Sequence, residues 1–123
     1  MKNLYHLDIA DHAQNPRNYG IPATVSFRSH HTNPSCGDEV IIAGTCADGQ
    51  ISWLWFEGKG CSLSLAMASK LTEYARNASI ADALAYDEAL VEKLLGMAVG
   101  PRRMLCGLLS VQALQQALKN RLD

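Results

Sequence analysis

Three cysteines and one aspartate are the side chains of this sequence best suited to chemistry: Cys36, Asp38, Cys61 and Cys106. Cys36 and Asp38 share the segment PSCGD, and Cys61 lies in the segment GKGCS. Cys106 follows a pair of arginines, whose positive charge favours a thiolate. Because thiolates are preferred ligands of zinc and of iron-sulfur clusters, these four side chains are a candidate ligand set for a soft metal or a cluster.

The spacing of these residues says how such a site would be built. Cys36 and Asp38 are two residues apart, so in extended backbone their side chains point to the same side and can share one metal. Cys61 follows Cys36 by 25 residues and Cys106 follows Cys61 by 45, unlike the short pairs of zinc fingers. The tertiary fold would therefore assemble the site. From spacing alone, it remains open whether some of these cysteines are only small buried residues.

The predicted elements place two of the thiols at helix starts. Cys61 is expected at the N-terminal end of a long helix and Cys106 in the first turn of the last helix. Unpaired N–H groups and the helix dipole favour an anion at both positions. Gly37 and Gly60 leave room for an approaching ion or donor protein.

Size and composition indicate one compact domain spanning residues 1–123, since 48% of the residues are hydrophobic. Eleven basic residues against twelve acidic ones give a net charge of -1 without a basic face, so nucleic acid is not expected as a partner. No stretch approaches the roughly 20 apolar residues of a membrane span, and no signal peptide is indicated. We therefore expect a cytoplasmic protein with reduced thiols.

The first half of the chain is predicted to form a short helix and a three-stranded antiparallel meander. The helix should end near Ala13, before the turn-forming segment NPRNYG. Alternating polar and apolar residues then predict strands at residues 24–29, 40–46 and 51–56, the last two joined by a tight turn at Asp48 and Gly49. The second half has helical periodicity, with helices predicted over residues 62–77, after Ser79, from Asp87 to Gly96, and over 104–122 after a loop. Strands followed by helices indicate an α+β fold.

Several other residues are assigned structural roles. His30 and His31 are expected in an exposed loop before Cys36, and His6 and His12 on a solvated helix face.

Cys46 is expected to be an ordinary strand residue outside the site. Trp53 and Trp55 are two residues apart, so they share one sheet face, where packing against the core or a helix is expected.

Four motifs, taken in order, resemble one known family. They are NPRNYG at residues 15–20, PSCGD at 34–38, GCS at 60–62 with the small-residue run AMAS, and Cys106 at a helix start. Together they resemble the U-type iron-sulfur cluster scaffold family, which comprises the IscU, SufU and NifU amino-terminal proteins, over nearly the whole chain. The resemblance implies a small sheet flanked by helices, with a metal site at one end.

The resemblance also implies a function. Members accept sulfur from a cysteine desulfurase and either assemble a [2Fe-2S] cluster for transfer or, in the SufU branch, hold Zn²⁺ and relay sulfur. The implied ligands are Cys36, Cys61 and Cys106 with Asp38, and the implied partners are a cysteine desulfurase and apo iron-sulfur proteins or a carrier. A scaffold or sulfur acceptor, rather than a turnover enzyme, is expected.

The sequence combines marks of two branches. Leu105 stands where IscU-type members carry a histidine, and residues 99–103 lack the chaperone-recognition stretch of those members, which argues against a dedicated Hsp70-type partner. Pro101, Arg103 and Cys106 resemble the Pro-x-Arg-x-x-Cys pattern of SufU-type members, whereas the 45-residue interval resembles the IscU arrangement.

Different residues of the site are expected to accept sulfur and to control release of the metal or cluster. A thiolate at Cys106 or Cys36 can attack the persulfide of a desulfurase and take its outer sulfur. Asp38 binds a soft metal less firmly than a fourth thiolate would, so it is expected to govern release of the metal or cluster.

Two alternatives from other classes remain. A Cys3Asp set can also hold zinc as a closed structural site in an interaction module without sulfur chemistry. A zinc hydrolase or deaminase is disfavoured, because no H-E-x-x-H and no H-x-E with P-C-x-x-C supplies a general base beside the metal.

Overall fold

In the part of the chain that the structure describes, a helix, three strands and four further helices follow one another, which confirms the predicted α+β class. The computed structural model describes residues 2–35 and 37–121, with side chains from His6 onward. The elements are α1 Lys2–Gln14, β1 Phe27–Asn33, β2 Asp38–Ala47, β3 Gln50–Lys59, α2 Ser62–Tyr74, α3 Ile80–Leu84, α4 Glu88–Leu95 and α5 Pro101–Lys119.

The three strands form the predicted antiparallel meander in the order β1-β2-β3. Asp48 and Gly49 connect β2 to β3 with φ angles of 54° and 77°, and two successive positive φ angles are typical of the turn that suits the twist of a two-residue hairpin. The pairing sets Ile42 opposite Phe56 and Asp38 at the start of β2 opposite Asn33. The strand ends therefore bring Asp38 to the end of the sheet that lies away from this hairpin.

The core lies where α2 and α5 pack against the sheet and against each other. Phe56, Met67, Leu71 and Leu114 are fully buried there. Burial of a large apolar side chain stabilises a fold by about 1.5–3 kcal/mol, so this layer holds the starts of α2 and α5 in place beside the sheet. Among the described residues, no helix has the length and hydropathy needed to cross a bilayer.

The first strand begins later than predicted. It runs over Phe27–Asn33 rather than residues 24–29, because its backbone pairs with β2, where Phe27 lies opposite Gly44. His30 and His31 accordingly lie in this strand and not in a loop, with His30 Nε2 3.6 Å from Glu39 Oε2.

The last helix begins earlier than predicted, at Pro101 instead of residue 104. Proline is favoured at the first helical position because it has no N–H to leave unpaired and its φ is already helical. Cys106 therefore lies in the second turn, not the first. Unpaired backbone N–H groups therefore do not surround this residue, whereas Arg103 and Arg102 of the first turn each line a cavity together with Cys106.

Two packing predictions are wrong. Trp53 is 43% exposed instead of packed in the core; its ring stacks on Trp55 with centroids 6.2 Å apart, and the Arg76 guanidinium lies 3.4 Å from its ring centroid. His12, expected in solvent, is buried where α1 packs on α2.

Candidate metal centre

Three secondary-structure elements bring Asp38, Cys61 and Cys106 together. Asp38 is the first residue of β2, Cys61 is the N-cap of α2, and Cys106 lies in the second turn of α5. One ligand atom from each lies within 4.8 Å of the other two. The site is thus assembled by the fold from distant segments, as the spacing predicted.

Cys36, the fourth predicted ligand, lies outside the described residues. Gly37, next to it, has a φ of 72°, in the left-handed region that glycine adopts readily. Gly37 is therefore not in the extended conformation that was assumed between Cys36 and Asp38. Ligation by Cys36 remains a prediction.

The Asp38 carboxylate is 2% exposed and is held by α2. The backbone N–H of Cys61 donates to Oδ1 at 3.0 Å, and the Ser64 hydroxyl donates to Oδ2 at 2.5 Å. A Cβ at Gly60 would lie 2.5 Å from Oδ1, so only glycine leaves room for the carboxylate there. These contacts explain how a buried carboxylate is satisfied by the chain itself.

Together, these groups cap the start of α2, and the carboxylate that completes the cap belongs to β2. In an ordinary capping box, the N-cap side chain accepts from the third helical N–H, and the third side chain accepts from the N-cap N–H. Here the Cys61 sulfur accepts from the N–H of Ser64 at 3.5 Å, but Asp38 from β2 accepts from the N–H of Cys61. Because α2 has no acidic residue in its first turn, Asp38 supplies the negative charge that its dipole favours.

The two thiols differ in exposure. Cys61 is exposed, whereas Cys106 is 8% exposed. Both line one open cavity of about 590 Å³, whose other walls include Ile9 and Ala13 of α1 and Arg103 of α5. A sulfur donor can therefore reach both thiols from one side.

The donor set suits a thiophilic metal. Two sulfurs bound at about 2.3 Å to one tetrahedral zinc ion lie roughly 3.8 Å apart, so the spacing of up to 4.8 Å needs only a small inward adjustment. Leu105, beside Cys106, is 54% exposed and has no ligand atom. At this site, the described residues thus offer two thiols and one carboxylate, and Cys36 is the candidate for the fourth ligand.

Ser64 is the site residue that sequence reasoning missed. Its hydroxyl lies 3.4 Å from the sulfur of Cys61 and 3.4 Å from the carbonyl oxygen of Cys106, besides its contact with Asp38. A serine three residues after an N-cap is the signal that could have found it, since that position takes part in capping. Cys46, near the other end of β2, is not part of this group, as predicted.

Comparison with known proteins points to one family over nearly the whole chain. The family described as "NifU-like N terminal domain" matches residues 4–122. The zinc-dependent sulfurtransferase SufU of Bacillus subtilis is 31% identical over 135 residues, covering 96% of this chain and 91% of the relative.

Two further similarities extend this finding. The iron-sulfur cluster assembly scaffold protein IscU 1 of Archaeoglobus fulgidus is 32% identical over 115 residues, which cover 94% of this chain and 74% of that one. A crystal structure of a hypothetical protein has a TM-score of 0.84 at 28% identity, covering 97% of this chain and 99% of the other.

Proposed function

The chain belongs to the NifU-like N terminal domain family, and from that premise we propose that it is an iron-sulfur cluster assembly scaffold. In this proposal it accepts sulfur from a cysteine desulfurase, builds a [2Fe-2S] cluster on Cys36, Asp38, Cys61 and Cys106, and passes the cluster to an apo iron-sulfur protein or a carrier. Relatives named as scaffolds and as a sulfurtransferase support it.

The observation that carries the proposal is the convergence of Asp38, Cys61 and Cys106 beside a cavity open to solvent. A site that loads and releases cargo needs both features: soft ligands and an approach for a donor. The carboxylate is the one hard ligand of the set, so it is the ligand that a soft metal or cluster gives up most readily.

The sulfur step requires no cofactor. The Cys106 thiolate attacks the outer sulfur of the donor's cysteine persulfide, a new S–S bond forms at Cys106, the donor's S–S bond breaks, and the donor cysteine leaves as a thiolate. Arg103 lines the same cavity and stabilises negative charge on the reacting sulfurs. Reduction of the transferred sulfur to sulfide, which takes two electrons, falls to an external thiol reductant.

A zinc-dependent sulfur relay is the second candidate. It is favoured by Leu105, which leaves the position next to Cys106 without a ligand, and by the similarity to the Bacillus subtilis sulfurtransferase. In that case the four residues would hold zinc, which supplies Lewis acidity and keeps the thiols deprotonated, and Cys106 would hand its sulfur onward. Both functions need reduced thiols, so we propose that the protein acts in the cytoplasm.

The test is anaerobic incubation with a cysteine desulfurase, cysteine and ferrous iron, with and without dithiothreitol. Visible absorption reports cluster growth, and mass spectrometry reports protein-bound persulfide. A chromophore in the wild type that is lost in Cys106→Ser supports the scaffold, whereas persulfide with retained zinc and no chromophore supports the relay. Cys46→Ser is the matched control and should behave as the wild type, since Cys46 lies outside the site.

Absence of both signals in the wild type would overturn the proposal. Persulfide on Cys106→Ser at the wild-type level would move the acceptor role to another thiol, and the Cys36→Ser and Cys61→Ser variants would identify which.

A further inference from the structure

Ser64 contacts Asp38, Cys61 and Cys106, the three described residues of the candidate metal centre. It is the third residue of α2 and is 8% exposed. Its hydroxyl donates to Asp38 Oδ2 at 2.5 Å and lies within 3.4 Å of both the Cys61 sulfur and the Cys106 carbonyl oxygen. A single side chain thus links β2, α2 and α5 at the point where the ligand atoms meet.

The helix cap alone does not account for this hydroxyl. The cap of α2 is made by the Cys61 sulfur, which accepts from the backbone N–H of Ser64, and by Asp38 Oδ1, which accepts from the backbone N–H of Cys61. Both contacts use backbone donors that alanine would also supply. The shortest contact of the hydroxyl is instead with the other carboxylate oxygen, Oδ2, to which it donates at 2.5 Å and which lies 3.5 Å from the Cys61 sulfur.

We propose that Ser64 is a positioning residue: its hydroxyl fixes the plane of the Asp38 carboxylate so that Oδ2 faces the thiols, and it thereby sets how tightly the site holds a thiophilic divalent cation. The proposal rests on the proposed function, because it concerns the same site. The terminal torsion of aspartate is broad, so the short hydrogen bond from Ser64 to Oδ2 narrows the orientations open to the carboxylate before a cation arrives. Groups that hydrogen-bond to metal ligands change metal affinity by about 10- to 100-fold when removed.

The test measures zinc affinity by competition with a chromophoric chelator, together with the absorption spectrum of the cobalt(II) form. Ser64→Ala should bind zinc about 10- to 100-fold more weakly than the wild type. Its cobalt form should keep the thiolate charge-transfer band, because the sulfurs remain, while the ligand-field bands shift because the carboxylate is no longer fixed.

Ser69→Ala is the matched control. Ser69 is also buried on α2, but its hydroxyl contacts His12 and the N–H of Arg17 rather than the site. This variant should lose stability and keep the wild-type zinc affinity and cobalt spectrum, so it separates a general loss of packing from loss of positioning.

Ser64→Thr and Ser64→Val provide a second comparison should Ser64→Ala fail to fold, because they have the same shape and differ in the hydroxyl alone. The threonine variant should bind zinc at least tenfold more tightly than the valine variant. The inference would be overturned if Ser64→Ala bound zinc as tightly as the wild type, or, where that variant does not fold, if Ser64→Val bound zinc as tightly as Ser64→Thr. Either result would leave the proposed function intact. A wild type that shows neither zinc binding nor a thiolate-to-cobalt band would overturn both.

Discussion

The Ser69 hydroxyl lies 2.7 Å from Nδ1 of His12, which joins α2 to a helix 57 residues earlier in the chain. The same oxygen accepts the backbone N–H of Arg17 at 2.9 Å, so the turn that follows α1 is fixed at this point as well. Lys70 and Asp8 form a further ion pair between the two helices. These polar contacts hold α1 where it forms one wall of the cavity beside Cys61 and Cys106.

His12 makes stability depend on pH. Burial lowers its pKa below the ordinary 6.5, the charges of Arg17 and Lys70 act in the same direction, and Asp8 and Glu73 oppose them. Below about pH 6.5 the unfolded chain then binds a proton that the folded chain resists, so stability falls as the pH drops and is unaffected by this group above that value. The unfolding free energy of the metal-free protein, measured by urea titration, should be lower at pH 5.5 than at pH 7.5.

The His12→Gln variant isolates this contribution, since glutamine can bond to Ser69 but does not titrate. Its unfolding free energy should fall less between the two pH values than that of the wild type. Parallel pH profiles for the two proteins would show that His12 is not responsible.

Replacing Asp38 with alanine should have two effects. It leaves the N–H of Cys61 without its side-chain acceptor and removes the shorter of the two oxygen acceptors of the Ser64 hydroxyl, which should lower the unfolding free energy by about 1–3 kcal/mol. It also removes the ligand that a cluster gives up most readily, so transfer of a cluster to an apo acceptor should slow. Stopped-flow absorbance of the transfer step measures the second effect.

Glu39→Ala is the control for charge, because Glu39 is the next carboxylate along β2 and pairs with His30 instead. It should transfer at the wild-type rate. An Asp38→Ala variant that transfers as fast as the wild type would contradict the role assigned to this carboxylate.

Gly60→Ala should weaken the site by displacing Asp38. The new Cβ would lie 2.5 Å from Oδ1, 2.7 Å from Cγ and 3.0 Å from Cβ of that aspartate, so the whole side chain would have to move. Zinc affinity should drop about tenfold or more, and overpacking should cost about 1–3 kcal/mol of stability.

Gly100→Ala is the control for a glycine-to-alanine change without a clash, because a Cβ at Gly100 would meet nothing within 4 Å. It should keep zinc affinity within twofold of the wild type. A Gly60→Ala variant that retained full affinity would mean that Asp38 can bind from another position.

Removal of metal should leave the fold intact. The buried carboxylate of Asp38 is satisfied by chain donors, and the core cluster that holds Phe56, Met67 and Leu71 does not include Cys61 or Cys106. Far-ultraviolet circular dichroism should therefore keep its helical signal after treatment with a chelator. Loss of that signal would favour the structural zinc module, whose folding energy comes from its metal.

Local chemistry explains why much of the fold was predictable. Asp48 and Gly49 adopt the positive φ angles that their residue types favour, and Asp87 and Gly96 cap α4 at the predicted ends. Each of these signals acts within a few residues. The convergence of distant thiols was anticipated through family resemblance, which carries tertiary information that spacing lacks.

The errors arose where tertiary contacts decide the outcome. The start of β1 depends on its pairing with β2, and burial of His12 depends on Ser69 of another helix. Ser64 was overlooked because a serine in a helix is ordinarily unremarkable, and its importance comes from a carboxylate 26 residues earlier. None of these partners is visible in a local window of sequence.

Asp38, Cys61 and Cys106 each belong to a different element, and the first two are already 23 residues apart. A chain emerging during synthesis consequently lacks the complete set of ligands until α5 has docked. The complete site would therefore become available to a metal or a cluster only after the last helix has packed against the sheet.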